Sequence, residues 1–431
     1  MEILQLPTTL LGLLSNTLVL RQTAPYLPIS AVLSLSGTNR SFRDLIFSHP
    51  EAWRYLNLSR VESAIVDSSP IDIGGVSWRA ERMDESLTED DFYAGPLRGI
   101  FSRLQAKNVL GSVQVLVLDG LSVPADLVNQ IITEARFNVR VLSLREAKNL
   151  NLTKLQQGLR YAVRPTRAEG SLKLRELYVF GSKDEVRALS PAGRTRLQLN
   201  SGGVMASEGA QIGAHWNSRS AATLDSSLPD DDQQRWYGSH GRIVKKPHSD
   251  WAETLHACRN LIAFDAVLCR SPRHDITKVA AHQYLPPAIA TVALGPAGCD
   301  TCHSCPEGAA VFGQSEKAAL PLLAPPPRHS STVRAAQRPD PDTVDGTFPE
   351  LIMRCEDCLR GRWCERCNRW WCESCYEEPI SRTHGQVPGE GDSSLGGGGT
   401  GGQGASVKVI TNLCVEHCLR GEILMSSDGY W

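Results

Sequence analysis

The sequence predicts a multi-domain α/β protein with a helical N-terminus, a middle region of repeated strand and helix units, and a small cysteine-rich module near the C-terminus. Three observations predict this arrangement. Leucines recur at helical spacing over the first 60 residues, a short strand pattern returns after residue 106, and six cysteines fall within residues 355–375. A chain of 431 residues is long enough for two or three domains.

Composition and charge argue against two classes of function. Apolar residues make up 41% of the chain and the net charge is −2, so a basic footprint for nucleic acid is absent. No apolar run reaches about 18 residues, and we therefore expect no membrane span. The leucine-rich start lacks the basic residues and cleavage site of an export signal. We expect reduced thiols and a location in the cytoplasm, the nucleus or both.

Shifts in composition divide the chain into five segments. Proline-rich and glycine-rich stretches mark the linkers, because such stretches bury too little apolar surface to fold alone. The segments are a helical part (1–60), a connector (61–105), a repeated region with long loops (106–295), a cysteine loop with a proline-rich linker (296–349) and a cysteine-rich module (350–422) with a disordered glycine-rich insertion (389–406).

Two Leu-Pro pairs open two of the three helices predicted within residues 1–60. Leu6-Pro7 begins the first and Leu27-Pro28 the second, because proline is tolerated in the first turn of a helix. The stretch "TNRSFRDLI" predicts a third helix that ends before Pro50. The apolar faces are formed by Leu10, Leu11 and Leu14 in the first helix, and by Ile29, Val32, Leu33 and Leu35 in the second.

A strand pattern with apolar residues in the first, fourth and sixth places recurs along the middle region. "VQVLVLDGL" from Val113, "VRVLSLREA" from Val139 and "LRELYVFGS" from Leu174 share it, "WRYLNL" from Trp53 matches it, and "LIAFDAVLC" from Leu261 is a looser copy. A stretch with helical spacing separates the first two of these copies. The pattern is similar to that of leucine-rich repeats and predicts an irregular leucine-rich-repeat-like solenoid. An unrelated α/β domain with short buried strands is the alternative.

The cysteine-rich module carries three Cys-x2-Cys pairs and a final cysteine and histidine element. Zinc prefers four thiolate or imidazole ligands in a tetrahedron, and a Cys-x2-Cys turn offers two of them. We expect two structural zinc ions, held by alternate pairs in a cross-brace. One would bind Cys355, Cys358, Cys372 and Cys375, and the other Cys364, Cys367, Cys414 and either His417 or Cys418.

The remaining cysteines give a less complete signal. Cys299, Cys302 and Cys305 could supply part of a third zinc site, or could form a loop of free thiols. We interpret Cys258 and Cys269 as small buried apolar side chains. The tryptophans between the pairs (363, 370 and 371) are predicted to cover the small zinc module, although an exposed patch that recognises a peptide is the alternative.

No catalytic motif is evident in the sequence. A phosphate-binding loop, a dinucleotide fingerprint, His-Glu-x-x-His and Gly-x-Ser-x-Gly are all absent from it. A zinc ion held by four cysteines has no open coordination position for water. We therefore expect a protein that is not an enzyme.

The N-terminal residues resemble the F-box motif. The motif runs Leu-Pro, leucine helix, second Leu-Pro, second leucine helix, a cysteine or threonine followed by a basic and an aromatic residue, and a final tryptophan. The corresponding elements here are Leu6-Pro7, Leu27-Pro28, Thr38/Arg40/Phe42 and Trp53. The stretch before Leu27 is longer than usual in the family, and Phe42 stands where many members carry tryptophan. An ordinary three-helix bundle is the alternative. The whole order of segments resembles fungal F-box proteins, and the cysteine-rich end resembles a ZZ-type or RING-like cross-brace.

The resemblance implies a substrate receptor of a Skp–cullin–F-box ubiquitin ligase. Its partners would be a Skp-family adaptor, a cullin reached through that adaptor, and an unknown protein substrate held by the repeated region. The alternatives are a zinc-dependent interaction scaffold unrelated to ubiquitin and a RING-like ligase. The implied adaptor-binding residues are Leu6, Pro7, Leu10, Leu11, Leu14, Leu27, Pro28, Ile29, Leu33, Leu35, Phe42 and Trp53. A receptor needs a solvent-facing apolar surface here in addition to a core.

Overall fold

The computed structural model describes residues 9–65, 89–183, 246–247, 250–295, 297–338, 350–376 and 407–419. Leu6, Pro7 and the glycine-rich stretch 389–406 lie outside these residues. The described chain is mixed α/β and contains a parallel sheet. Within that part, no helix has both the length and the apolar character needed to cross a membrane.

Residues 9–60 form four α-helices where the sequence predicts three helices. The predicted first helix is divided because the Asn16 side chain accepts a hydrogen bond from the Leu18 N–H at 3.0 Å and caps a new helix there. Trp53 anchors the core of this segment, donating from Nε1 to the Ile46 carbonyl at 2.9 Å. The helices are α1 (Leu10–Leu14), α2 (Thr17–Thr23), α3 (Ile29–Thr38) and α4 (Arg40–Ser48).

Five short strands form one parallel sheet in chain order. They are β1 (Tyr55–Asn57), β2 (Val115–Val117), β3 (Val141–Ser143), β4 (Glu176–Tyr178) and β5 (Ala263–Phe264). The pairing register places five residues in one row, and these are the fourth places of the five copies of the sequence pattern. The row consists of Leu56, Leu116, Leu142, Leu177 and Phe264.

One face of the sheet packs against helices. Three of them lie between or before the strands, at Ala125–Thr133, Leu152–Ala162 and Ala252–Cys258. Because side chains alternate across a strand, the leucine row points to this side and is buried in the main core. The apolar places of the strand pattern therefore form the contact between the strands and the helices.

A further helix, Glu89–Ala106, occupies much of the segment that the sequence divides off as a connector. Pro96 interrupts its hydrogen-bond pattern, and Gly95 and Gly99 flank that position. Proline and glycine at these positions disfavour a helix, so the sequence pattern does not predict one here. Leu97 and Phe101 are nonetheless fully buried in the main core, so packing outweighs local preference.

The opposite face of the sheet is covered by residues 320–337, which we call the strap. Val115, Val141 and Tyr178 are almost fully buried in one cluster with the strap residues Leu322 and Ala336. The strap includes the short helix Val333–Ala336. It also includes part of the proline-rich linker that the sequence predicts within residues 296–349.

Buried charges order the turns that follow the strands. The Asp119 carboxylate accepts hydrogen bonds from the Arg145 main chain at 3.0 Å and from its guanidinium at 2.7 Å, and also from the Ser143 hydroxyl. Asp265 accepts from the N–H groups of residues 179–181. Burial raises the pKa of Asp265 above its usual value, against the effect of those donors.

The C-terminal module is joined to the rest of the chain by an antiparallel strand pair. β6 (Val292–Leu294) pairs with β7 (Ile352–Arg354), and the short helix Glu356–Leu359 follows. A small hairpin, β8 (Val409–Ile410) and β9 (Leu413–Cys414), leads into a helical turn at Val415–Leu419. These connections bring residues distant in sequence to the Cys-x2-Cys pairs.

Three candidate metal centres

The structure gathers twelve cysteine and histidine side chains into three groups of four. In each group the four ligand atoms lie within 4.8 Å of one another, so each group could hold a metal ion. The first group is Cys269, His274, Cys355 and Cys358; the second is Cys299, Cys302, Cys372 and Cys375; the third is Cys364, Cys367, Cys414 and Cys418.

The first centre joins the end of the sheet to the C-terminal module. His274 Nε2 lies 3.2 Å from Cys355 Sγ and 3.1 Å from Cys358 Sγ, and Cys269 Sγ lies 3.9 Å from Cys358 Sγ. His274 Nδ1 is 3.1 Å from the Leu285 carbonyl oxygen. Donation to that carbonyl fixes the tautomer, because Nε2 then carries the lone pair that a metal needs.

Local structure explains how these ligands are positioned. Cys269 follows β5 closely, and Ser271 caps the 3-10 turn Pro272–His274 that presents the imidazole. Cys355 follows β7 and is the N-cap of the short helix, so its Sγ accepts from the Cys358 N–H at 3.4 Å. Cys269 Sγ in turn accepts from the Cys355 N–H at 3.2 Å. Such N–H donors stabilise thiolates.

The second centre uses a tight loop before the β7 segment. Cys302 Sγ lies 3.7 Å from Cys372 Sγ, and the Cys372 N–H donates to Cys299 Sγ at 3.2 Å. Gly298 has φ +78°, and a Cβ there would meet the His303 carbonyl carbon at 2.8 Å, so the loop requires glycine. The Ser304 hydroxyl and N–H lower the pKa of the exposed Cys302 thiol to about 6.

The third centre lies within the C-terminal module alone. Cys364 Sγ is 3.7 Å from Cys418 Sγ, and Cys367 Sγ is 3.7 Å from Cys414 Sγ. His417 is the neighbour that the sequence leaves as an alternative to Cys418. Its Nε2 instead lies 2.8 Å from Arg369 Nη1 at the surface, outside the group of four.

The spacing of these sulfur atoms fits a tetrahedral metal. With Zn–S bonds of about 2.3 Å, two sulfurs of a tetrahedral site stand about 3.8 Å apart. Four thiols this close cannot all ionise without a compensating cation. In the third centre, side-chain hydrogen bonds from Cys367 and Cys414 lower the pKa of Cys364, and hydrogen bonding with Cys364 and Cys414 raises that of Cys367. A divalent cation would allow all four thiols to ionise.

The grouping differs from the expected cross-brace in two of three centres. The third centre has the expected pairs, with Cys418 in the group. Cys355 and Cys358 do not meet Cys372 and Cys375, because each of these pairs instead meets two residues from the chain before β7. Cys269 is therefore not merely a small apolar side chain, whereas Cys258 is buried in the main core outside every group.

The sequence contains a signal that could have found the missing ligands. The five close cysteine pairs supply ten ligands, which is two fewer than three tetrahedral sites need. Cys269 and His274, five residues apart in "CRSPRH", were the unassigned candidates. Cys305, in contrast, stays outside the second group, and its Sγ accepts from Arg354 Nη2 at 3.6 Å.

The tryptophans cover the module, as predicted. Trp363, Trp370 and Trp371 are all buried in the cluster that contains the ligands of the second and third centres. Trp363 Nε1 donates to Asn368 Oδ1 at 2.7 Å. Their burial contradicts the alternative of an exposed recognition patch.

The predicted adaptor-binding residues divide into three classes by exposure. Leu10, Leu27, Pro28 and Leu33 are exposed, and Leu11, Ile29, Leu35 and Phe42 are partly buried. Leu14 and Trp53 lie in the core of the N-terminal helices, so they stabilise these helices and are not available to a partner. Leu13 and Leu18 are also exposed, although they are not among the residues that the resemblance implies. Comparisons with protein-family models, curated proteins and solved structures found no match.

Proposed function

We propose that this protein is a substrate receptor of a Skp–cullin–F-box ubiquitin ligase. The N-terminal helices bind a Skp-family adaptor, the adaptor connects the chain to a cullin, and the rest of the chain positions a protein substrate. The receptor contributes proximity and needs no catalytic residue, because the complex raises the effective concentration of a substrate lysine near the ubiquitin carrier.

The observation that carries this proposal is the set of exposed leucine side chains on the N-terminal helices. Leu10, Leu18 and Leu33 are 56%, 68% and 48% exposed. The same helices bury a separate core around Leu20, Val32 and other side chains. A plain helical bundle would place polar side chains outside its core, whereas an adaptor-binding segment needs apolar anchors there.

The repeated region is, in this proposal, a short leucine-rich-repeat-like solenoid. The in-register row of leucines and the helices packed on one side of the sheet support it. Its role is to hold the substrate-binding surface at a fixed distance from the adaptor. The buried N-terminal core continues into this region through Val109, which packs with the N-terminal cluster.

The three metal centres are structural zinc sites in this proposal. Each offers four thiolate or imidazole ligands, the set that zinc favours, and four protein ligands fill a tetrahedral site. They close the small module, whose own core is limited. The pairs at Cys355 and Cys372 do not share a site, but the second and third centres still take alternate pairs along the chain.

The test is capture of the full chain by a purified Skp-family adaptor. Leu10→Asp and Leu33→Asp each place a charge on the exposed apolar surface, and we expect them together to abolish capture. The thermal unfolding midpoint should change little, because both side chains are exposed. Ser34→Asp is the matched control on α3, since it adds the same charge at an exposed polar position and should leave capture intact.

A second control separates the surface from the core. Leu14→Ala removes a buried side chain and should destabilise the chain by about 2–5 kcal/mol. The same change should leave adaptor capture unaltered at temperatures where the variant is folded. Failure of the intact, folded chain to bind any Skp-family adaptor would overturn the proposed function.

A further inference from the structure

The strap crosses the sheet from its last strand to its first strands. At one end, the Leu322 N–H donates to the Phe264 carbonyl of β5 at 2.8 Å. In the middle, the Tyr178 hydroxyl donates to the Ala324 carbonyl at 2.9 Å. Further along, Ser331 Oγ donates to Gln114 Oε1 at 3.0 Å, beside β2. The strap thus covers this face of the sheet and is held to it by hydrogen bonds at three places along its length.

The strap is packed unevenly against the sheet. Leu322 and Ala336 are its members of the apolar cluster on this face. A cavity of about 740 Å³ lies at the β5 edge of the sheet, lined mainly by residues 255–274 and 315–319, and it reaches the strap at Leu320 and Val333. One edge of the strap therefore lacks close-packed neighbours, which lowers the cost of moving it.

Glu176 is the exception among the buried acids of this sheet. Its side chain lies on the same face as Tyr178, because Leu177 between them points to the helices. Glu176 is 0% exposed, and neither carboxylate oxygen has a hydrogen-bond partner within the described residues. Asp119 and Asp265, by contrast, each accept several hydrogen bonds. A buried carboxylate without donors is rare and destabilising.

We propose that this sheet face is a docking site for an extended peptide segment of a partner protein, and that a lysine or arginine of that segment pairs with Glu176. The strap occupies the site in the same chain, and its own arginines do not pair with Glu176, because Arg328 lies over the Tyr26 ring and Arg334 over the Phe312 ring. Under the proposed function, on which this inference rests, the partner is the substrate. The cation therefore defines a substrate class: extended segments with one basic side chain.

Competition with the strap explains why the cation would decide binding. The strap is tethered, so it has a high effective concentration at the sheet, and a peptide without a cation opposite Glu176 gains nothing over it. A peptide with a cation replaces the apolar and main-chain contacts of the strap and also supplies the charge partner that Glu176 lacks. Only such a segment has a differential affinity that can shift the equilibrium away from the strap-covered state.

The experiment uses synthetic peptides with the sequence of residues 318–337, each carrying lysine at one successive position. Binding of labelled peptides to the full-length, metal-loaded chain is measured by fluorescence anisotropy. We expect lysine at one register to tighten binding at least tenfold over the unsubstituted peptide. Glu176→Gln should abolish that preference, whereas Glu253→Gln, at an exposed position on the helix before β5, should retain it. Absence of a lysine preference, or its persistence in Glu176→Gln, would overturn the proposal.

Trypsin gives an independent readout of strap displacement. Arg328 and Arg334 are exposed cleavage sites within the strap. The tightest lysine peptide should speed cleavage at these two sites, and the unsubstituted peptide should not. Unchanged cleavage with the peptide bound would contradict displacement. Adaptor capture does not involve this face, so a chain that captures the adaptor but ignores lysine peptides overturns this inference alone.

Discussion

Cys269 and Cys358 are separated by 89 residues in sequence, and their Sγ atoms lie 3.9 Å apart. Cys269 follows the last strand of the parallel sheet, and Cys358 lies in the short helix after β7. A metal bound between them would tie the sheet to the C-terminal module. The first centre is therefore positioned to hold two parts of the fold together, whereas the third centre braces the module alone.

We expect Cys269→Ser to reduce the zinc content of the purified chain from three ions to two. Serine is a poor zinc ligand, and the remaining three side chains would leave the site incomplete. Because metal binding is coupled to folding, the thermal midpoint should also fall. Metal content is measured by mass spectrometry of the purified chain after removal of free metal.

Cys305→Ser is the matched control for that experiment, since Cys305 lies near the second centre but outside its group of four. It should retain three ions per chain. Three ions in Cys269→Ser, or two in Cys305→Ser, would show that the grouping is different from the one described.

The sheet could be predicted from the sequence because each copy of its pattern is local. The apolar places around Leu116 and Leu142 are visible in a window of nine residues. In the sheet, each of these leucines pairs with the residue at the same place in the next copy of the pattern. The first metal centre could not be predicted in the same way. Cys269 and His274 lie near Cys355 and Cys358 because β6 pairs with β7, and that contact spans a long stretch of chain. A lone cysteine in an apolar strand is otherwise indistinguishable from a core residue.

The position of the strap on the sheet also could not be predicted from the sequence. Its prolines predict an extended segment, and extended segments are commonly linkers. Nothing local indicates that Leu322 would be buried on the sheet, because the contact depends on the free face of strands more than 100 residues earlier. The same limit applies to Glu176, which is fully buried on the sheet face that carries Tyr178.

In the third centre, we expect substitutions of the adjacent residues His417 and Cys418 to differ in their effect on zinc content. Cys418→Ser should remove one zinc ion per chain, because Cys418 Sγ is part of the group of four. His417→Ala should keep all three, since the imidazole contacts Arg369 at the surface. Cobalt substitution tests this by its absorption spectrum, which reports the number of thiolate ligands. A loss of metal in His417→Ala with retention in Cys418→Ser would reverse the assignment.

The buried ion pair of Asp119 and Arg145 predicts a large loss of stability. Both side chains are almost fully buried, so Asp119→Ala removes the carboxylate that the Arg145 guanidinium contacts at 2.7 Å. Removal of one member of a buried pair costs about 3–5 kcal/mol. The free energy of unfolding in urea measures the change.

Asp90→Ala provides the comparison for this ion pair. Asp90 pairs with Lys154 at 3.1 Å, but both side chains are solvent-accessible. The loss should be much smaller than in Asp119→Ala, because exposed ion pairs contribute little. Equal losses in the two variants would mean that burial does not control the strength of these pairs.

Glu176 predicts a dependence of stability on pH. Burial raises the pKa of Glu176 to about 8 in the folded chain, from 4.5 as the reference value. Between these two values the unfolded state releases a proton that the folded state keeps. The free energy of unfolding should therefore fall as pH rises from about 4.5 to about 8, and then remain level with respect to this group.

Glu176→Gln should remove this pH dependence, because the amide does not titrate. The variant should gain stability over the original chain, by little at pH 5 and by several kcal/mol, on the order of 1.4 per pKa unit, at pH 8. Urea unfolding at a series of pH values measures the difference. Glu253→Gln, at an exposed position, should show a constant difference near zero across the series. If the gain in Glu176→Gln were instead equal at pH 5 and pH 8, Glu176 would be ionised in the folded chain at both values. The sheet face would then already contain a charge partner for it.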